Sequence, residues 1–149
     1  MIRMAKKDDL MAVLKLYKEL RPADPELESN LANQTWLAMI EDPQTFLIVA
    51  DIAGELASTC ALTINKSIAN GARPFAIIEH VITAQKFRRQ GLSRQVLEFA
   101  INTAWQQNCC KVMLLSGEKL TAAHALYESV GLQADIEKGF VIKPPTALN

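Results

Sequence analysis

What this sequence lacks narrows its function before any motif is read. No apolar run approaches the roughly 20 residues that a membrane-spanning helix needs, and the opening MIRMAKKDDL has no apolar core of the kind a secretory signal carries. Neither sign of charge is in excess, because 16 Lys and Arg balance 16 Asp and Glu. The chain as a whole therefore has no field to draw it to nucleic acid or to an anionic membrane. Basic residues interleaved with exposed aromatics, the usual footprint of nucleic-acid binding, are missing too. Cysteine is scarce. There are three, an odd number, and joining the adjacent Cys109 and Cys110 would need a strained bridge, so all three are read as reduced. His80 and His124 each lack a Cys or a second His at ligand spacing, and no metal is expected. These absences predict a cytoplasmic protein without metal, membrane or nucleic-acid partners, in which any anion site is local.

What is present is 149 residues, half of them hydrophobic, which suits a single domain, 1–149, around one core. IRMA reads as a short strand. Asp8 and Asp9 follow, either able to cap a helix on which Leu10, Val13, Leu14, Tyr17 and Leu20 recur at helical spacing until Pro22 and Pro25. Beyond the link RPADPELESN, a second helix is expected from about Leu31 to Ile40, with Trp36, Leu37 and Ile40 as its apolar contacts and Asp42-Pro43 as its stop. TFLIVAD and ELASTCALTI flank a hairpin-like connection at Ile52-Ala53-Gly54, and a loop containing Asn70-Gly71 leads into RPFAIIEHVIT. Three strands in succession predict an antiparallel meander.

At Leu92 the period changes. Leu92, Val96, Phe99, Ala100, Thr103 and Ala104 make one helical face that closes near Asn108. KVMLLS is continuously apolar, as a strand buried on both faces would be, and strand, crossing helix and parallel strand form a right-handed unit. Ala123, Leu126, Tyr127 and Val130 describe a further helix, ended by Gly131 in a left-handed cap. LQADI and GFVIKP, separated by Glu137-Lys138, are expected to form a final hairpin. The expected class is α/β with a mixed sheet.

Function is signalled where the third strand of the meander gives way to a helix. In RRQGLS, Gly91 would let backbone approach an anion closely, and Arg88, Arg89 and Arg94 could supply charge-assisted hydrogen bonds. A helix N-terminus adds unpaired N–H groups and a partial positive charge. The nucleotide P-loop G-x-x-x-x-G-K-S/T and the dinucleotide G-x-G-x-x-G are both absent. Two readings fit these residues alone: a phosphate site, or a solvated basic turn before an ordinary helix.

Here the chain resembles the GNAT superfamily of N-acetyltransferases, whose coenzyme A signature is Gln/Arg-x-x-Gly-x-Gly/Ala. Arg88, Gly91 and Ser93 occupy its three defined positions, Ser93 departing from Gly or Ala in a way expected to tighten the fit to the pyrophosphate slightly. ALYESVGL is similar to the late segment A-x-x-x-Y-x-x-x-G-F/L, although Leu120 stands where an Asn is common seven residues before the Tyr. The resemblance covers nearly the whole chain. It implies one GNAT-like domain with a mixed sheet of about six to seven strands, an antiparallel meander plus a splayed parallel pair, and about four helices.

The resemblance also implies acetyl-CoA as co-substrate and a small-molecule or peptide amine as acceptor. Its cofactor site maps to Val81, Ile82 and Thr83 on the strand and to Arg88, Arg89, Gln90, Gly91, Leu92, Ser93 and Arg94 in the loop and first helical turn. Val81 N–H is the expected oxyanion donor. Glu79 is the candidate base that takes the amine proton, with its pKa raised by partial burial; an exposed strand position or a group that merely orients the acceptor is the alternative. Tyr127 matches the tyrosine many relatives use as general acid, a role its phenol near pKa 10 would suit; a core tyrosine fits its apolar face equally. His80 is expected on the opposite sheet face from Glu79, as a structural residue unless a bulge intervenes, and His124 is read as a partly exposed helix residue. The first two helices overhang the acceptor in relatives, which would bring Trp36 and the acidic Asp24, Glu26 and Glu28 close to it. A homodimer is compatible with the family. A non-catalytic acyl-CoA-binding module, sharing Gly91 and differing at Glu79 and Tyr127, is the competing reading.

Overall fold

A computed structural model describes residues 1–145. Its centre is a five-stranded sheet in the order β1 (Ile2–Met4), β2 (Thr45–Ile52), β3 (Glu55–Asn65), β4 (Phe75–Thr83) and β5 (Val112–Met113). The first four run antiparallel in sequence order, and β5 joins β4 in parallel. β2 and β3 are joined by a two-residue turn in which Ala53 and Gly54 both take positive φ, the conformation whose twist suits a tight hairpin.

The chain divides into two compact units, Met1–Leu114 and the stretch from Leu115 onward. In the first, side chains alternate between the faces of the sheet. One face is covered by α1 (Leu10–Leu20) and α2 (Ser29–Glu41), whose Val13, Leu16 and Trp36 pack with Leu47, Val49, Leu56, Ala61 and Ile82. The other lies under α3 (Leu92–Gln106), which buries Val96, Leu97, Ala100 and Ala104. Ile48, Leu62 and Ile78, fully buried, belong to that face by alternation.

α1 and α2 begin differently from what residue type alone suggests. Asp9 stands at the N-cap of α1 but gives its carboxylate to Arg3, with Nη1 at 2.7 Å, and to the N–H of Lys6 at 2.7 Å. Arg3 also reaches Asp51 at 3.1 Å, so one guanidinium ties β1, the start of α1 and the β2–β3 hairpin. α2 begins earlier than expected because Glu28 caps it, accepting from the N–H groups of Asn30 and Leu31 at 2.8 and 2.9 Å.

Two strand expectations need correction. KVMLLS contributes only Val112 and Met113, both half-buried, because β5 is an edge strand with just two ladder pairs. LQADI and GFVIKP form no hairpin and are turns and irregular chain. A lone two-stranded ribbon is marginal in water, and Ile136, Phe140, Val141 and Ile142 are exposed. The sheet thus has five strands among the described residues rather than six to seven. Within the second unit α4 (Thr121–Ser129) ends in a Schellman motif: Leu132 N–H donates to Tyr127 O at 3.1 Å and Gly131 N–H to Glu128 O at 3.0 Å, with Gly131 at φ 101°.

Candidate active site

The segment after β4 is built to leave backbone donors open. Phe87 and Arg88 close a 3-10 turn onto Ala84 and Gln85, after which Arg89 (φ 65°) and Gly91 (φ 75°) adopt left-handed conformations on either side of Gln90. The first N–H of α3 to close a helical bond is Gln95, onto Gly91 O at 3.1 Å. The N–H groups before it are those a helix start leaves unsatisfied, and among the described residues no side chain caps this one. A β-carbon built on Gly91 would meet nothing within 4 Å, so a ligand can approach this backbone closely. Concave turns of successive N–H groups of this kind suit anions.

The three arginines are not equivalent. Arg88 Nε turns inward and donates to Thr83 O at 3.2 Å, holding the loop against the end of β4. Arg94 Nε pairs with Glu98 at 2.8 Å along the helix. Arg89 is exposed beside Gly91 and makes no hydrogen bond among the described residues. Ser93, the departure from Gly or Ala, does not point its hydroxyl at the open loop. It contacts Thr83 Oγ1 closely, Thr83 donates to Ser58 Oγ at 2.8 Å, and Ser58 donates to Ile82 O at 3.0 Å. This hydroxyl chain pins the first turn of α3 to the end of β4 and accounts for a serine there.

β4 carries a bulge that the sequence does not announce. Ala61 opposes Glu79 while Thr59 opposes Ile82, so three steps on β4 face two on β3. His80 holds the extra position at φ 55°, an uncommon conformation for a residue with a β-carbon. The expectation that His80 points away from Glu79 therefore fails. Its Nε2 lies 3.6 Å from Glu79 Oε2, and its ring meets that of Tyr17 at 5.2 Å between centroids, tilted by 49°. Glu79, His80 and Tyr17 gather on the face covered by α1. Glu79 is 65% exposed, so the partial burial expected for it is not found.

Past Ile77 the edge of β4 that faces β5 has no ladder partner among the described residues, which leaves Val81 beyond the parallel pairing. Val81 is half-buried, and Ile82 and Thr83 are buried. Other candidates fall elsewhere. Trp36 is a core residue whose indole N–H donates to Lys7 O at 3.0 Å. Of the acidic link, Asp24 pairs with Arg21 at 2.9 Å and Glu28 caps α2, so two of its three carboxylates are occupied locally. In the second unit, Tyr127 is half-buried on α4, His124 Nε2 bonds Gly117 O at 2.8 Å, and Leu120 is exposed at the start of the helix. No three His, Cys, Asp or Glu side chains converge as a metal site among the described residues, and no helix is long and apolar enough to cross a membrane.

Two residues of the cluster around Glu79 are not marked by the sequence around them. Tyr17 reads as one of five apolar-face positions of α1, though alone among them it carries a hydroxyl needing a partner, and nothing local to His80 marks the bulge.

Comparison with known proteins agrees with this geometry. A solved structure from Agrobacterium tumefaciens str. C58, itself assigned as an acetyltransferase, superposes with a TM-score of 0.91 and 40% identity, covering 97% of this chain and 99% of that one. A glucosamine 6-phosphate N-acetyltransferase of Trypanosoma brucei brucei is 26% identical over 133 residues, 89% of this chain and 88% of that protein. The aminoglycoside N-acetyltransferase AAC(6')-Iy, solved in complex with CoA, shares the fold at a TM-score of 0.79 and 17% identity over 96% of this chain and 93% of that one. The pattern of the Acetyltransferase (GNAT) family matches residues 11–132, and on that span and the 40% relative this chain belongs to the GNAT family of acetyltransferases.

Proposed function

We propose that residues 1–149 act as one catalytic domain that transfers the acetyl group of acetyl-CoA to a primary amine of a small-molecule acceptor. The observation that carries this reading lies on one strand: β4 ends in an open, left-handed turn at Arg89 and Gly91 and bears Glu79 and His80 at its bulge. The turn and the uncapped start of α3 hold the coenzyme's pyrophosphate, with Arg89 beside it and Arg88 bracing the loop from within. The unpartnered edge of β4 past Ile77 leaves Val81 to direct its N–H at the thioester oxygen. Ile82 and Thr83 continue that edge toward the turn, and Gln90, Leu92, Ser93 and Arg94 complete the anchoring segment.

The acceptor attacks as a neutral amine, so a proton must leave it. Glu79, with His80 3.6 Å away, receives that proton. A C–N bond forms at the acetyl carbon, the oxyanion rests on Val81, and collapse breaks the C–S bond to release the thiolate. Tyr127 stays the proposed donor to that thiolate on its motif alone. Because relatives bear the names of amino-sugar acetyltransferases, amino sugars head the list of acceptors.

Calorimetry with acetyl-CoA, followed by thiol release with a panel of amines, tests the reading. Glu79→Gln is expected to keep cofactor affinity while lowering turnover about 100-fold. A folded native chain that fails to bind acetyl-CoA, or that binds it yet releases no thiol with any amine, would end the proposal.

A further inference from the structure

Tyr17 presents a problem that the reaction above does not use. Its hydroxyl is buried and has no hydrogen-bond partner among the described residues, whereas buried polar groups in folded proteins are nearly always paired. It sits on α1 between core and site: Val13 and Leu16 on the same helix are buried, and its own ring lies against His80, next to Glu79. The helix that carries it is held over the end of β4, since Glu19 Oε2 accepts from the N–H of Gln85 at 3.2 Å. His80 meanwhile keeps its left-handed backbone at the bulge, and strained positions of this sort cluster at binding and catalytic sites. An orphaned phenol, a histidine held out of its preferred conformation and an exposed carboxylate therefore share one spot.

We infer that Tyr17 is an acceptor-binding residue whose hydroxyl hydrogen-bonds an oxygen carried beside the reacting amine, so that the acceptor is of the amino-alcohol or amino-sugar class rather than a plain alkylamine. This deepens the proposed acetyl transfer and rests on it. Glu79 faces the amine, and Tyr17 faces the neighbouring oxygen. Burial, with Cys60 and Glu79 adding to it, pushes the Tyr17 hydroxyl up to about 12, so the phenol stays neutral and able to donate throughout the working range. A site that holds an unpaired buried donor discriminates strongly against ligands that leave it unpaired.

The test compares native enzyme and Tyr17→Phe with matched acceptors, amino alcohols or amino sugars against alkylamines of the same size. Native enzyme is expected to prefer the oxygen-bearing acceptors by about tenfold in kcat/KM, and Tyr17→Phe to lose that preference while the KM for acetyl-CoA and the melting temperature hold. No preference in the native enzyme, or a preference that survives in Tyr17→Phe, overturns the assignment and leaves acetyl transfer standing. A lowered melting temperature with unchanged acceptor kinetics also overturns it, as the mark of a merely structural or hydrated hydroxyl. Native enzyme that binds acetyl-CoA but acetylates no amine removes the transfer reading and this assignment together.

Discussion

The helices α2 and α3 begin in opposite ways. Both present the unsatisfied N–H groups common to every helix start. At α2 the chain answers them itself, with the Glu28 carboxylate accepting from Asn30 and Leu31. At α3 no described side chain does: the residue before the helix is a left-handed glycine with open space beside it, two residues after an exposed arginine. One start is closed by an internal anion, and the other is the one proposed above for the coenzyme's phosphates. The preceding residues decide whether a helix N-terminus is left open to a ligand.

Substitutions can break this contrast. Gly91→Glu would turn α3 into a start like that of α2 by supplying a carboxylate where the coenzyme's phosphates belong. Acetyl-CoA affinity measured by calorimetry should fall at least about 100-fold. Gly91→Ala separates backbone strain at φ 75° from charge and should fall much less. Arg89→Ala should weaken binding about tenfold, and Arg94→Ala by less, because Arg94 is engaged by Glu98; equal losses at both would show that the helical pair opens on binding.

The smallest effect is expected at the closed start. The N–H groups of Asn30 and Leu31 hold the Glu28 carboxyl below its usual range. A group with a depressed folded pKa stabilises fully above its unfolded pKa and loses that contribution as pH falls through the folded value. Glu28→Gln should therefore lower the melting temperature by about 2 °C near neutral pH, converge with the native chain in acid, and leave acetyl-CoA binding untouched.

The meander was legible because TFLIVAD and ELASTCALTI are apolar runs on either side of Ile52-Ala53-Gly54 and become β2 and β3, and α3 was legible because Leu92, Val96 and Ala100 repeat at helical spacing and end up buried. Gly91 was legible for the same local reason: a positive φ was needed, and a glycine stood there. The bulge was not, since the left-handed residue is a histidine and the evidence for it lies on the neighbouring strand, in the register of Ala61 and Thr59. Nor could residue type show that Glu28 serves the helix beside it or that Trp36 is core. Those outcomes depend on which partner reaches a segment first, and partners are set by tertiary structure.

The bulge at His80 also bears on how such a domain diversifies. By admitting one extra residue, β4 changes reading frame midway: Glu79 and Ile82 face α1, whereas Ile78 and Thr83 face α3. Substitutions in α1 can remodel the ground that Tyr17 occupies without disturbing Thr83, Ser93 and the turn at Gly91. Deleting His80 would restore a single frame, with Glu79 and Ile82 two residues apart and still both on the α1 face, so that only the bulge and the histidine it carries would be lost. Under the proposed roles, a lineage would trade one acceptor for another by point changes on α1 while keeping its coenzyme site.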